Sequence, residues 1–266
     1  MSAATSPLRP HPVLLARVLG ACLLLAAGVL PAANLQVAPI LVEFPPQEQS
    51  QALWLTNSGD QPLQAQVRVQ RWTQEGGADQ LASTRDLVAS PALLEVAPGQ
   101  RQLVRIVRLQ SGPMAGEQAY RLLVDELPSA GDASGQESGL NFLLRYSIPV
   151  FVGTPAPAPV ETGRRRPPPP TAPTTDLSML SANWQEGQLQ VENRGDRRAR
   201  LSQLAWINSD GTRVELKPGL LGYVLAGQRM QWALPQTQQV RPGGHLVATF
   251  DTGHDEQALP LVAPVR

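Results

Sequence analysis

The clearest alternation of apolar and polar positions lies between Gly139 and Val152. Large apolar side chains fall at every second position of this segment, at Leu140, Phe142, Leu144, Tyr146 and Ile148. A period of two places all five on one face of a β-strand. Since proline cannot donate to a sheet ladder, Pro149 predicts an edge strand. Such an edge is an aggregation hazard, so either it is covered, as in an ordinary half-buried sandwich strand, or it pairs with another chain.

Shorter segments with the same period run from residue 34 to residue 152. The cleanest begins at Leu63 and points apolar side chains inward at Leu63, Ala65, Val67 and Val69. Turn residues bound its neighbours, as at Ser58-Gly59-Asp60 and Ala97-Pro98-Gly99-Gln100. About seven short strands joined by turns predict an immunoglobulin-like β-sandwich.

A proline-rich stretch from residue 153 to residue 176 is predicted to be an extended linker, with Arg164–Arg166 as a solvated run. Beyond it, residues 177–266 contain fewer alternating segments, among them Leu189–Asn193, Ala199–Ile207 and His245–Phe250. These predict a smaller sandwich. The fold class is therefore all-β, with two immunoglobulin-like β-sandwich domains joined by a Pro-rich linker.

Residues 1–33 have the pattern of a secretory signal peptide. Arg9 and Arg17 precede the apolar run Val18–Leu30, and small residues follow at Ala32 and Ala33. The alternative interpretation is a membrane anchor, but the run is short for a segment that spans a bilayer. We therefore expect export, cleavage near residue 33 and a first domain spanning residues 34–152.

Composition narrows the possible partners and chemistry. Lys and Arg total 22, as do Asp and Glu, so no net charge favours nucleic acid or an anionic membrane. The only cysteine, Cys22, lies in the predicted signal. The mature chain is therefore expected to lack disulfides, although it enters a compartment that permits them.

No catalytic or metal-binding constellation is recognisable in the sequence. His254-Asp255-Glu256 has no second cluster at ligand spacing, and a solvated loop explains it better. The five tryptophans are scattered, which favours core positions over a carbohydrate-binding row. We predict a binding protein, not an enzyme, with no cofactor, no metal and no small-molecule substrate. A secreted enzyme or carbohydrate-binding protein is the weakest alternative.

Several segments carry a family resemblance through their order and spacing: residues 52–59, 96–105, 118–128 and 142–151. They resemble the periplasmic pilus-assembly chaperones of the chaperone–usher pathway, most closely the branch that serves archaic pili. The resemblance covers the first domain and, more thinly, the second. It implies a periplasmic protein of a Gram-negative bacterium whose partners are pilus subunits and an outer-membrane usher. The alternative is a secreted adhesin or pilus structural protein built of similar domains.

The resemblance also implies a mechanism, donor-strand complementation, in which a chaperone lends a strand to an incomplete subunit. By position, Leu140, Phe142 and Leu144 would be the donor side chains, with Tyr146 and Ile148 extending the row.

Chaperones of this family anchor the carboxylate of the subunit's C-terminus, many with an arginine and a lysine. Leu41 and Ser147 stand at those two positions in this chain. Our candidates for the anchor are instead Arg121, Arg145 and Arg105, because a guanidinium can bind a carboxylate bidentately. The alternative is a structural salt bridge, for instance with Asp125. The same resemblance assigns Glu126 and Asp251 to the contact that fixes the interdomain angle.

Overall fold

The computed structural model describes residues 34–109, 116–128, 143–153, 175–235 and 239–262. The predicted signal peptide and nearly all of the predicted linker lie outside these residues, as do Leu140 and Phe142. In the described residues the chain is almost entirely β, with one short 3-10 turn at Leu177–Met179. Within that part of the chain, no helix is long and apolar enough to cross a membrane.

The first domain contains ten strands: β1 Leu35–Ala38, β2 Val42–Phe44, β3 Ser50–Asn57, β4 Leu63–Glu75, β5 Ala78–Ser83, β6 Leu87–Ser90, β7 Leu93–Val96, β8 Arg101–Arg108, β9 Gln118–Leu127 and β10 Arg145–Val152. The first sheet has the order β1-β3-β8-β6, and the second has the order β2-β10-β9-β4-β5, with β7 also pairing to β4. The two sheets form the predicted immunoglobulin-like sandwich.

The first domain has ten strands where the sequence predicts about seven, and two features of the chain explain the difference. The segment after Leu35 divides into β1, which pairs with β3 in the first sheet, and β2, which pairs with β10 in the second. Strand β5 is exposed at every position, so it carries no apolar alternation that would have predicted it.

The core of the first domain lies between its two sheets and confirms the predicted alternation of β4. Leu63, Ala65 and Val67 are buried there, and Val69 packs against them. From Trp72 onward, the buried residues of β4 lie on the outer face of the sheet, because residues of the second domain cover Trp72 there.

The second domain contains seven strands: β11 Leu180–Gln185, β12 Gln188–Asn193, β13 Ala199–Ile207, β14 Arg213–Val224, β15 Arg229–Ala233, β16 His245–Phe250 and β17 Glu256–Ala258. Its sheets have the orders β11-β12-β15 and β14-β13-β16-β17. Trp184 and Trp206 are buried in its core, as predicted, and Trp232 packs against it. Trp54, in the first domain, is instead half-buried on the outside of the first sheet, beneath Arg101.

Candidate functional site

One half of β10 forms an open edge of the second sheet. Strand β9 pairs with β10 from Arg145 to Val152, whereas β2 pairs with it only from Val150 to Val152. Among the residues that the structure describes, no other strand pairs with Arg145–Pro149 on that side. The reason is the division of the first strand, because the chain before Val42 belongs to the opposite sheet.

The hydrogen-bond pattern shows which groups face this open edge. The N–H of Glu126 donates to the carbonyl of Leu144 at 2.9 Å. In an antiparallel pair the bonding direction alternates along the strand, so Arg145, Ser147 and Pro149 turn their backbone groups away from β9. Pro149 therefore occupies a position where its missing N–H costs the β9 ladder nothing, which agrees with the edge that the proline predicts.

The apolar row on β10 runs out of the sandwich core toward this edge. Ile148 is 3% exposed and lies in the core of its own domain with Val150 and Val152. Leu144 and Tyr146 are only half-buried and pack against the margin of that core. Within the described residues, the row therefore becomes more exposed from Ile148 back to Leu144.

Two of the predicted donor residues have structural roles within the domain. The burial of Ile148 makes it a core residue of its own domain, and its place in the donor row stays a prediction. The hydroxyl of Tyr146 donates to the carbonyl of Leu35 at 2.5 Å, which ties β10 to β1. The other candidates are Leu140, Phe142 and Leu144.

Arg121 projects from the outer face of the second sheet, toward the second domain. Its neighbours Tyr120 and Leu122 are buried in the core, so alternation turns Arg121 outward. Its guanidinium carbon lies 3.7 Å from the ring centroid of Trp72. Burial lowers the pKa of Arg121 from its ordinary value, while the negative charge of Asp79 acts in the opposite direction.

Arg145 is engaged in an ion pair within the same sheet. The Asp125 carboxylate accepts hydrogen bonds from Arg145 and from Arg68, the latter at 2.6 Å. Burial alone would raise the pKa of Asp125, but the hydrogen bonds and charges of these two arginines lower it overall. The predicted alternative, a salt bridge to Asp125, is therefore what the structure shows for Arg145.

Arg105 lies on the other side of the molecule. It stands in β8 between Val104 and Ile106, which point into the core, so its side chain faces outward from the first sheet. Arg121 and Arg145 belong to the second sheet. The structure does not bring Arg105 together with them, and its role as the third anchor candidate stays a prediction.

The two positions that hold the family's basic residues have other roles in this chain. Leu41 packs against the apolar cluster between the domains, and Ser147 is exposed on β10 opposite Leu123.

Neither residue assigned by resemblance to the interdomain contact bonds across the domain junction in the described residues. The carboxylate of Glu126 accepts from the N–H of Leu144 at 3.3 Å, so it supports the start of β10. Asp251 accepts from the N–H and the hydroxyl of Thr175, both at 2.7 Å, at the point where the chain enters the second domain. In the described residues each side chain bonds to a partner nearby, and the interdomain role of both stays a prediction.

The ionic contact between the domains is made instead by Arg198. Its guanidinium bonds to the carboxylates of Glu117 and Glu43, and its Cζ lies 3.7 Å from the ring centroid of Phe151. The Arg198 and Glu117 side chains are 9% and 2% exposed, so this contact is buried. Sequence reasoning missed it because Arg198 and Glu117 lie in separate domains and neither stands in a recognisable motif.

An apolar cluster completes the junction. Trp72, Ala119 and Phe151 of the first domain enclose Leu225 of the second, with Leu41 and Tyr223 at its margin. The rings of Trp72 and Tyr223 meet edge to face, with centroids 5.7 Å apart. Arg121, stacked on Trp72, therefore stands beside the junction in the cleft between the domains.

Within the described residues, no group of three or more His, Cys, Asp or Glu side chains is arranged to hold a metal ion. The features that can act chemically are an open strand edge, an apolar row that leads out of a core, and a cation in a cleft. Together they suit a protein ligand that pairs with a strand and carries a carboxylate.

Comparison with known proteins agrees with this geometry. Residues 34–157 match the family model described as pili and flagellar-assembly chaperone, PapD N-terminal domain. Among curated proteins, none matches this sequence.

Several solved structures share the fold over most of the chain. A chain from the CsuC–CsuE chaperone–tip adhesion subunit pre-assembly complex of archaic Csu pili, from Acinetobacter baumannii, is 24% identical, covers 88% of this chain and 98% of its own length, and has a TM-score of 0.61. The CupB2 chaperone of Pseudomonas aeruginosa is 16% identical, covers 85% of this chain and 100% of its own length, and has a TM-score of 0.55. A chain from the Salmonella enterica SafA pilin–SafB chaperone complex is 16% identical, covers 89% of this chain and 97% of its own length, and has a TM-score of 0.53.

Proposed function

The first domain of this chain belongs to the pili and flagellar-assembly chaperones as a PapD-type N-terminal domain, and on that premise we propose that the protein binds and caps pilus subunits by donating the start of β10 together with the apolar residues before it. The observation that carries the proposal is the open edge at Arg145–Pro149, reached by an apolar row that continues out of the domain's own core. A subunit strand that pairs with this edge gains main-chain hydrogen bonds, and the apolar row fills its groove.

The energetics favour such a complex. A large apolar side chain contributes roughly 1.5–3 kcal/mol when it passes from water into a core. Ordering one backbone residue costs about 1–2 kcal/mol. Leu140, Phe142 and Leu144 therefore offset the ordering of a short donor segment, and the added main-chain hydrogen bonds stabilise the complex further.

Arg121 supplies the second part of the proposed site. Its guanidinium is held on the Trp72 ring in the cleft, beside the apolar junction of the two domains. A C-terminal carboxylate that enters this cleft forms a charge-assisted bond with Arg121. We therefore assign the anchor to Arg121, while Arg145 and Arg68 hold Asp125.

The cellular setting follows from the same proposal. Residues 1–33 would direct export to the periplasm, where the chaperone would receive newly exported subunits and deliver them to an outer-membrane usher. Membership of the first domain in a chaperone family supports this function over that of a pilus structural protein.

The test is capture of a subunit in the periplasm. The protein is co-expressed with a pilin-like chain, sought first among the genes that neighbour its own, and the complex is recovered through a tag on the chaperone. We expect wild type to retain the subunit, and Phe142→Asp and Leu144→Asp to lose it while keeping the wild-type circular dichroism spectrum.

The control is Leu220→Asp, which places the same charge at an exposed leucine in the second domain and should leave capture intact. Capture by both donor variants at the wild-type level would disprove the donor-strand assignment. A wild-type protein that retains no pilin-like chain would disprove the function itself.

A further inference from the structure

A buried asparagine organises one corner of the first domain, formed by residues 57–61 and 96–100. The N–H of Asn57 donates to the carbonyl of Gln100 at 3.0 Å. Its Nδ2 donates to the carbonyls of Gln61 and Val96, at 2.7 and 2.9 Å. Its Oδ1 accepts from the N–H of Gly59 at 2.9 Å.

The second domain repeats this corner bond for bond in residues 193–197 and 224–228. The N–H of Asn193 donates to the carbonyl of Gln228 at 2.9 Å. Its Nδ2 donates to the carbonyls of Arg197 and Val224, at 2.6 and 3.0 Å, and its Oδ1 accepts from the N–H of Gly195 at 2.9 Å. The two corners therefore form a matched pair within one chain.

Only the second domain's corner docks onto the other domain in the described residues. Leu225 is buried in the apolar cluster, and the carbonyl of Asp196 accepts from the N–H of Glu117 at 2.7 Å. The equivalent positions of the first domain's corner are Ala97 and Asp60, and both are exposed. The shared hydrogen bonds thus form the corner, and residues specific to the second copy make it an interface.

The docked corner is held by two glutamines that bond to each other's backbone segments across the junction. The Nε2 of Gln74 donates to the carbonyl of Tyr223 at 2.8 Å, and its Oε1 accepts from the N–H of Leu225 at 2.9 Å. In return, the side-chain oxygen of Gln228 accepts from the N–H of Gln74. Gln74 is 6% exposed, so these bonds form away from solvent.

We propose that Gln74 and Gln228 are positioning residues that set the angle of the second domain and thereby shape the cleft around Arg121. Bonds to both Tyr223 and Leu225 fix the translation and the rotation of that strand end together. The strand end carries Tyr223, whose ring meets that of Trp72 under Arg121. The link to the cleft rests on the proposed subunit-binding function, whereas the effect on domain orientation does not.

An amide is required at position 74 because it supplies both a donor and an acceptor. Glu at this position cannot donate to the Tyr223 carbonyl when ionised, and it places a negative charge beside that oxygen. Gln74→Glu therefore removes the bond to Tyr223 at nearly constant shape, and it also removes the bond from Nε2 to the Asp79 carboxylate within the first domain. The corresponding variant at the first domain's corner, Gln100→Ala, is the matched control.

The experiment measures the distance between spin labels on the full chain without its signal, at Leu93→Cys in the first domain and Leu220→Cys in the second. No other cysteine remains, since Cys22 leaves with the signal. We expect Gln74→Ala, Gln74→Glu and Gln228→Ala to broaden the distance distribution, and Gln100→Ala to reproduce that of wild type. Narrow, wild-type distributions in all three junction variants would overturn the proposal.

Capture of the pilin-like chain is then measured for the same variants. We expect about tenfold weaker capture for Gln74→Ala and Gln228→Ala, with unchanged domain unfolding temperatures and no change for Gln100→Ala. Broad distances with wild-type capture would overturn the link to the cleft. Because the spin-label measurement needs no subunit, failure of the subunit-binding function is seen separately, as absence of capture by wild type.

Discussion

The guanidinium of Arg121 stacks on Trp72 at 3.7 Å, and Trp72 is itself packed against the second domain. A cation–π contact attracts the charge without neutralising it. The planar N–H groups at the rim of the guanidinium keep their capacity to donate to an anion. The stacking therefore holds the Arg121 cation in the cleft, and the packing of Trp72 against the second domain sets the position of that cation.

We expect Arg121→Ala to weaken subunit capture by about 1.5–3 kcal/mol, the usual scale of a hydrogen bond to a charged group. That range corresponds to roughly a tenfold to a hundredfold change in dissociation constant. Biolayer interferometry with the purified pilin-like chain measures it. Arg105→Ala removes an arginine from the outward face of the first sheet and is expected to bind like wild type. Equal affinities for Arg121→Ala and wild type would place the carboxylate anchor elsewhere.

Leu144, directly before β10, and Ile148, within it, lie four residues apart and both pack toward the core, yet we expect opposite consequences from truncating them. Ile148 is buried in the core, so Ile148→Ala should lower the free energy of unfolding of the first domain by about 2–5 kcal/mol. Leu144 is half-buried at the margin, so Leu144→Ala should weaken capture more than it weakens the fold. Urea unfolding and subunit capture are measured side by side. A capture defect in a fully stable Ile148→Ala protein would place Ile148 in the donor row.

The sequence predicts most of the fold because the residues of a strand that face the opposite sheet are apolar and their neighbours are polar. Leu63, Ala65 and Val67 point inward as their pattern indicates. Trp72 and Phe151 break the rule, since both point away from the sandwich and are nevertheless buried. Trp72 and Phe151 are buried by residues of the second domain. The alternation of residues within one strand cannot predict contacts with residues that lie far along the chain.

The candidate site was predictable in part. Pro149 indicates an edge because the missing N–H is a local property of the residue. The pairing of Arg198 with Glu117 depends on how two domains meet, and nothing near either residue signals it. The assignments of Glu126 and Asp251 came from resemblance alone, and local partners at Leu144 and Thr175 take their place in this chain.

Asp125 should make the first domain sensitive to acid. The hydrogen bonds of Arg68 and Arg145 lower its folded pKa below the ordinary value of 3.8. A carboxyl whose folded pKa is lowered stabilises the protein above the unfolded pKa, and this stabilisation is lost as pH falls through the folded pKa. We therefore expect the loss below about pH 4. Urea unfolding from pH 7 to pH 3 should show a smaller decrease for Asp125→Asn than for wild type. Parallel curves for the two proteins would contradict the assignment.

Removing Glu117 should loosen the junction more than it weakens either sandwich. Arg198 and Glu117 form a buried ion pair, and an unpaired buried charge costs about 3–5 kcal/mol. Glu43 still bonds to Arg198 when Glu117 is removed, so we expect a cost below that range. We expect calorimetry of Glu117→Ala to separate the unfolding of the two domains into distinct transitions. Arg213→Ala removes a more exposed pair with Glu256 within the second domain and serves as the control. One transition at the wild-type temperature in Glu117→Ala would show that the apolar cluster suffices.

Variants of Asn57 and Asn193 can separate two roles of the repeated corner: stabilising its own domain, and orienting the second domain on the first. Each side chain satisfies two carbonyls and one N–H that are buried or partly buried, so Asn57→Ala and Asn193→Ala should each destabilise their own domain by more than about 2 kcal/mol. Asn57→Asp and Asn193→Asp retain the acceptor for the glycine N–H and lose both donors, so their defects should be comparable with each other. The spin-label distances between the domains should broaden only in the Asn193 variants, because among the described residues only that corner is docked onto the other domain. Broadening of equal size in the Asn57 variants would show that domain orientation follows overall stability and not the docked corner.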